Sequence, residues 1–148
     1  MGYTLKAYIG KDENLNPILE KYSEAKKVNL NGGISMIPMT DELFDEINDL
    51  KFSSAISAFE FLTENIEKEI IQIIEKREIA YVESEIFGGE GGHIGIIWNS
   101  GKRDLLTELG KSSMNIILKK LGVNKSHLKD EFDTVGLAQN RHTEDWIE

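Results

Sequence analysis

Strand-like segments come in pairs joined by glycine turns, and this arrangement constrains the fold more than any other feature of the sequence. Residues 79–87 and 93–98 are rich in β-branched and aromatic side chains and enclose a run of glycines. Residues 27–30 and 34–39 flank Asn31-Gly32-Gly33, which is a strong turn signal. Because the strands form hairpin pairs rather than β-α-β repeats, the sequence predicts an antiparallel sheet.

Alternating and helical periods complete the predicted set of elements. Residues 3–9 alternate in the manner of a strand with one buried face. Residues 79–87 alternate as well, with Ile79 and Tyr81 on one face and Ala80 and Val82 on the other. Helices are predicted at residues 17–25, 41–50, about 55–76 and 111–121, where apolar side chains recur at three- and four-residue steps or capping residues stand at the ends. Thr40 is the expected N-cap of the second helix, and Gly122 the left-handed end of the fourth. The predicted fold is α+β, a mostly antiparallel sheet built from hairpins and covered by amphipathic helices, in one domain over residues 1–148.

The glycine cluster Gly88-Gly89-Glu90-Gly91-Gly92 could bring backbone amides close to a phosphate. It has no Lys-Ser/Thr after the last glycine, and the segment that follows resembles a strand rather than a helix. The pattern therefore favours a mobile hairpin loop over an anion site. Gly95 lies inside the second strand, where a glycine indicates a bulge or the close approach of another element.

Size and residue types exclude several classes of protein. A chain of 148 residues can bury roughly 70% of the surface that its unfolded form exposes, so it needs no disulfide or structural metal to fold. Cysteine is absent, which excludes thiolate metal sites and a cysteine nucleophile. The beginning of the chain has no long apolar stretch typical of a secretory signal, and no apolar run approaches the ~20 residues of a membrane span. We therefore expect a cytoplasmic protein.

Negative charge is concentrated in the middle of the chain. The net charge is −9, and residues 31–78 hold four bases and eleven acids, giving −7. Such a surface repels phosphate backbones, so nucleic acid is a poor partner, whereas a basic protein would be attracted. The alternative is that these carboxylates serve solubility alone. The partner-facing candidates on the second and third predicted helices are Asp41, Glu42, Asp45, Glu46, Asp49, Glu60, Glu64 and Glu67.

A few polar residues offer an alternative site for a ligand. Glu83 and Glu85 precede the glycine cluster, Glu90 lies within it, and His93 follows it, while His142 lies near the end of the chain. No HExxH, EF-hand or paired-histidine spacing connects these residues, so no metal site and no cofactor are predicted. Carboxylates on the solvent face of a strand are the ordinary interpretation. No GxSxG motif is present, which disfavours a serine hydrolase.

Near the end of the chain, Thr143 is expected to cap a final helical turn, with Trp146 docked on the body of the domain. Phe132, Val135, Leu137 and Ile147 are further candidate anchors of this polar segment.

Three stretches of the C-terminal half carry a resemblance to a known class of proteins. YVESEIFGGEGGHIGIIW, DEFDTVGL and RHTEDW are together similar to small acidic bacterial proteins that are encoded as immunity partners of polymorphic toxins. The resemblance implies a protein that binds and blocks a toxin domain without chemistry of its own, and it assigns no binding residue.

The leading hypothesis is therefore a binding module that occludes a basic toxin domain. The alternative is a small enzyme or ligand-binding domain with its site near the loop at residues 88–93, and a structural subunit is a third possibility. Whether the chain is an enzyme stays open, with no catalytic residue predicted.

Overall fold

The computed structural model describes residues 2–147 and contains a six-stranded, fully antiparallel sheet. The strands are β1 (Gly2–Lys11), β2 (Val28–Asn29), β3 (Ile34–Pro38), β4 (Ile79–Phe87), β5 (Glu90–Asn99) and β6 (Lys102–Leu106). Their spatial order is β2-β3-β1-β4-β5-β6, so β1 and β4 form the centre of the sheet. Helices accompany this sheet, and the α+β prediction is confirmed.

Helices cover both faces of the sheet. The first face packs against α1 (Asn16–Lys21), α2 (Asp41–Asn48) and α3 (Glu64–Ile74), and the second against α4 (Ser113–Lys120) and α5 (Glu131–Val135). Side chains alternate along β4, so that Ile79 and Tyr81 belong to the first face and Ala80 and Val82 to the second. This confirms the alternation predicted for residues 79–87.

The β4–β5 hairpin is tighter than its glycine run predicts. Gly88 and Gly89 both have positive φ angles, 61° and 82°, and they form the two-residue turn by themselves. The twist of such a turn matches that of the flanking strands, which lets β5 begin at Glu90. Pairing of the two segments is confirmed, but the prediction of a glycine loop reaching to residue 92 is wrong.

The long helix predicted from about residue 55 begins only at Glu64. Thr63 is its N-cap, and the Thr63 hydroxyl accepts a hydrogen bond from the Ile66 amide at 3.4 Å. Residues 55–63 form an irregular segment, although Phe59 and Leu62 are buried as their spacing indicated. The periodic pattern correctly indicates which side chains of this segment are buried. The backbone amides of the segment, however, donate hydrogen bonds to a side chain instead of to the backbone carbonyls of a helix.

The other element boundaries differ less. α1 ends at Lys21 rather than near residue 25, and α2 ends at Asn48 rather than at residue 50. The prediction did not include β6, whose residues are mostly exposed and polar. Thr40 caps α2 by accepting a hydrogen bond from the Leu43 amide at 3.2 Å, as predicted. Gly122 has the predicted positive φ, 101°, after α4.

Gly95 marks a close approach, which was one of its two predicted roles. A Cβ atom built there would lie 2.5 Å from Cγ1 of Ile117 on α4. The absence of a side chain at this position therefore lets α4 pack directly on the second face.

Residues 141–143 lie along the edge of β1 that β3 leaves free. The Thr4 amide donates to the Arg141 carbonyl at 2.7 Å, and the Lys6 amide donates to the Thr143 hydroxyl at 3.1 Å. The expected capping role of Thr143 is therefore wrong, because its hydroxyl binds β1. Trp146 is buried against the second face, as predicted. Within residues 2–147, no helix is long and apolar enough to span a membrane.

Candidate functional site

A cavity of about 340 Å³ lies on the first face, at the end of the sheet where β4 approaches its turn. Strand residues 4–6, 83–85 and 91–92, together with Ile94, line it from β1, β4 and β5. Residues of the irregular segment before α3, Leu109 and residues 143–144 line its other sides. The cavity therefore joins parts of the chain that are far apart in sequence.

Glu83 is the central carboxylate of this region, and it is only 7% exposed. Its carboxylate accepts hydrogen bonds from the amides of residues 60, 61 and 62, at 2.6, 2.9 and 3.2 Å. The Tyr81 hydroxyl donates a fourth bond at 2.8 Å, and burial, together with the nearby Glu83 charge, raises the pKa of Tyr81. The prediction of a solvent-facing Glu83 is wrong, because these donors replace the water that a buried carboxylate would lose.

Lys6 is a lining residue that the sequence did not single out. Its ammonium lies 3.4 Å from Oδ1 of Asp41 and 3.9 Å from the centroid of the Phe61 ring. The Phe61 ring also meets Phe44 edge-on, with centroids 5.7 Å apart. Only the lysine's position within the alternating β1 pattern could have indicated that it faces the first face.

The remaining charged groups around the cavity are exposed carboxylates. Glu60, Glu85 and Glu144 line it and are all exposed. Thr4 also lines it, and its hydroxyl forms a hydrogen bond with Nδ1 of His142 at 3.0 Å. Two residues of the predicted alternative site, Glu83 and Glu85, therefore line one cavity, and His142 contacts its edge through Thr4.

His93 does not join that cavity, because it lies on the second face opposite Ser84. Nδ1 of His93 is 2.5 Å from the Ser84 hydroxyl, and its ring packs near Tyr3 and Phe132. Burial lowers the pKa of His93, and the charge of Asp130 opposes this only partly. The expectation that His93 and Glu83 form one site is thus wrong, since the strand pleat separates them. Glu90 is exposed beside the turn and does not line the cavity either.

Three of the eight acidic candidates have partners within the described structure. Asp41 pairs with Lys6, and Glu46 accepts from the amides of Ser23 and Glu24, both at 2.9 Å. The hydrogen bond from the Glu24 amide is the main cause that lowers the pKa of Glu46.

Glu67 is the third, and it receives two hydrogen bonds from Arg103, at 2.6 and 2.8 Å, and one from the Trp98 indole at 2.9 Å. Burial raises the pKa of Glu67, but these bonds outweigh it and the net shift is downward. Glu60 was predicted to lie on the helix that carries Glu67, which is wrong, because it precedes Thr63.

Two large apolar side chains are exposed in the segment between α2 and α3. Leu50 is 89% and Phe52 96% exposed, and we call this pair the apolar tip. Asp45 lies in the last turn of α2, Asp49 is its C-cap directly before the tip in sequence, and Glu64 begins α3. Asn65 connects the tip to α3, because its side-chain amide donates to the Phe52 carbonyl at 3.5 Å.

The backbone conformation that forms the tip is uncommon. Asp49 and Leu50 have positive φ angles of 49° and 60°, a region that non-glycine residues rarely occupy. The sequence indicated only an interruption after α2, since exposed apolar side chains in a loop carry no periodic signal.

No group of three histidine, aspartate or glutamate side chains in residues 2–147 is arranged to hold a metal ion. The chain matches no protein-family model, and comparisons with curated proteins and with solved structures find no match. The resemblance to immunity proteins therefore stays a prediction.

Proposed function

We propose that this chain is a protein-binding module of the immunity type, which occludes a basic protein domain such as a toxin through the apolar tip and the carboxylates around it. The observation that carries the proposal is the nearly complete exposure of Leu50 and Phe52 between α2, whose last turn and C-cap hold Asp45 and Asp49, and α3, which begins at Glu64. This surface lies in the acidic middle of the sequence.

The composition of this surface supports protein recognition. Protein interfaces combine a few apolar or aromatic anchors with a polar rim, and most of the binding energy comes from the anchors. A left-handed backbone conformation at a non-glycine residue raises the free energy of the folded chain by roughly 1–2 kcal/mol. Asp49, which precedes the tip, and Leu50, which forms part of it, both adopt this conformation. The rim carboxylates would increase the rate of encounter with a basic partner and disfavour acidic ones.

Hydrogen bonds and ion pairs within the protein reduce the number of carboxylates that are free to contact a partner. Asp41, Glu46 and Glu67 already have partners, so they contribute less to a rim than their charge suggests. Asp45, Asp49 and Glu64 are exposed and form the rim in this proposal. Glu42 and Glu60 are exposed too, but Glu42 lies at the other end of α2 and Glu60 lines the cavity.

The test measures association with the protein encoded by the neighbouring gene. Leu50→Ser combined with Phe52→Ser is expected to weaken binding at least about tenfold, since truncated anchors commonly cost more than 1 kcal/mol. Leu128→Ser is the matched control, because Leu128 is 88% exposed and lies outside this surface. The tip variant and the Leu128 control both replace exposed side chains, so the fold is expected to persist in each.

Reversing Asp45, Asp49 and Glu64 to lysine is expected to slow association and to reduce its dependence on salt. Equal weakening by the tip variant and by the Leu128 control would contradict the assignment of the tip. Absence of any association with the neighbouring gene's product would contradict the immunity function.

A further inference from the structure

We infer that the cavity on the first face binds an organic cation, an ammonium or guanidinium group carried on an apolar body. This site is distinct from the apolar tip, and the inference does not depend on the proposed function. Asp41 at the start of α2 contacts Lys6 of the cavity, whereas the tip follows the end of the same helix. The eight residues of α2, about 12 Å of helix, lie between Asp41 and the tip.

The size and walls of the cavity are those of a small-molecule site. Its volume of about 340 Å³ lies within the range of roughly 300–1,000 Å³ typical of ligand pockets. Phe61, Leu109 and Ile94 supply apolar surface. Phe61 packs against Phe44 with the two rings nearly perpendicular, and the Lys6 ammonium lies over the Phe61 ring, so this wall exists before a ligand arrives.

The charge without an internal partner determines the sign of the ligand. Within residues 2–147, the side-chain carboxylates of Glu60, Glu85 and Glu144 neither accept a hydrogen bond nor form an ion pair. The two other charged lining residues are already satisfied, Glu83 by three amides and a hydroxyl, and Lys6 by Asp41. The cavity therefore presents negative charge beside apolar walls, which suits a cation with an apolar body and disfavours an anion.

The experiment titrates the full-length protein with benzamidine and follows backbone amides by two-dimensional NMR. Benzamide and benzoate are the neutral and anionic counterparts of the same shape. Saturable shifts are expected at the amides of Phe61, Gly92 and Ile94, and benzamide is expected to bind at least about tenfold more weakly. Benzoate is expected to produce no saturable shift.

Amide variants of the lining carboxylates test which negative charges bind the cation. Glu85→Gln combined with Glu144→Gln is expected to weaken benzamidine binding about tenfold, since each exposed carboxylate contributes modestly. Glu90→Gln is the matched control, because Glu90 is exposed on the same hairpin but does not line the cavity. Equal affinity for benzamidine and benzamide, equal effects of the double variant and the control, or no saturable shift at the lining amides would each overturn the inference.

Two sources could supply such a cation, and two further probes distinguish them. Spermidine represents a free polyamine, and the acetylated and amidated tripeptide Gly-Arg-Gly represents a basic side chain of a protein. Tighter binding of one probe identifies its source, and either result supports a cation site. The variant with Leu50→Ser and Phe52→Ser is expected to bind benzamidine like the unaltered protein, which separates this inference from the proposed function.

Discussion

Glu83 shows how one side chain can decide the conformation of a distant segment. Its carboxylate accepts hydrogen bonds from the backbone amides of three consecutive residues, 60 to 62. These bonds fix the irregular segment before α3 over the first face. Helix formation in this segment would direct those amides toward backbone carbonyls instead. The buried charge is tolerated because four donors, three backbone amides and the Tyr81 hydroxyl, bind its two oxygens.

Glu83→Gln is expected to lower the free energy of unfolding by about 2–3 kcal/mol, because the glutamine amide nitrogen cannot accept from a backbone N–H. Urea denaturation measures the change. Glu85→Gln is the matched control two residues along the same strand, and Glu85 is exposed, so its effect should stay within about 0.5 kcal/mol. Similar losses in the two variants would show that the Glu83 hydrogen bonds do not hold the segment.

His93 is expected to make the protein less stable under mildly acidic conditions. Burial holds the pKa of His93 below its usual 6.5, so the unfolded chain takes up a proton at a higher pH than the folded one. The free energy of unfolding is therefore expected to fall as the pH drops from about 6.5 toward 5.

His93→Gln is expected to flatten this part of the pH dependence, because glutamine is uncharged and can still bond to the Ser84 hydroxyl. Denaturation curves between about pH 5 and 7.5 provide the measurement. His127→Gln serves as the control, since His127 is exposed. An unchanged slope in His93→Gln would contradict the assignment of the proton uptake to this residue.

At the scale of elements, the contact between α4 and β5 depends on glycine at position 95, which has no side chain to keep the helix away. Gly95→Ala is expected to lower the free energy of unfolding by about 1–3 kcal/mol, because the new Cβ would clash with Ile117. Adding Ile117→Ala removes the clashing atoms, so the double variant should lose less stability than the two single variants together.

Gly110→Ala is the control for this experiment, since a Cβ at Gly110 meets no atom closer than 3.7 Å. Thermal or urea denaturation of the four variants measures the coupling. Strict additivity of Gly95→Ala and Ile117→Ala would show that α4 does not rest on the backbone at Gly95.

At the scale of the whole molecule, the two ends of the described chain stabilise each other. Residues 141–143 provide hydrogen-bond acceptors for Thr4 and Lys6 on β1, and β3 pairs with the same strand only from Ala7 onward. The buried Trp146 anchors this segment on the second face of the sheet. Its indole nitrogen has no hydrogen-bond partner within residues 2–147, so the anchoring is by packing.

Trp146→Ala is expected to loosen the segment and to increase hydrogen exchange at the Thr4 and Lys6 amides. The Tyr8 amide should keep its protection, because Tyr8 lies opposite Ile37 of β3. Hydrogen exchange followed by NMR measures all three, with Asp145→Ala as a control at an exposed neighbour. Equal acceleration at Tyr8 would indicate global destabilisation instead.

Features encoded by near neighbours in the chain were predictable from the sequence. The alternation in β4 assigned its residues to the two faces, Thr40 marked the start of α2, and the glycines located the β4–β5 turn. Each of these depends on strand periodicity, a cap or turn chemistry within a few residues. The antiparallel α+β fold followed from the same local signals.

The tertiary structure alone decided the features that unite distant residues. Glu83 is buried because residues 60–62 bring their amides to it, and Lys6 faces the cavity with Asp41 as its partner. The segment after residue 140 covers β1, although nothing in its polar composition indicates that edge. Burial of a charge, formation of a cavity and coverage of a strand edge depend on which groups meet in space, and local periodicity does not specify those meetings.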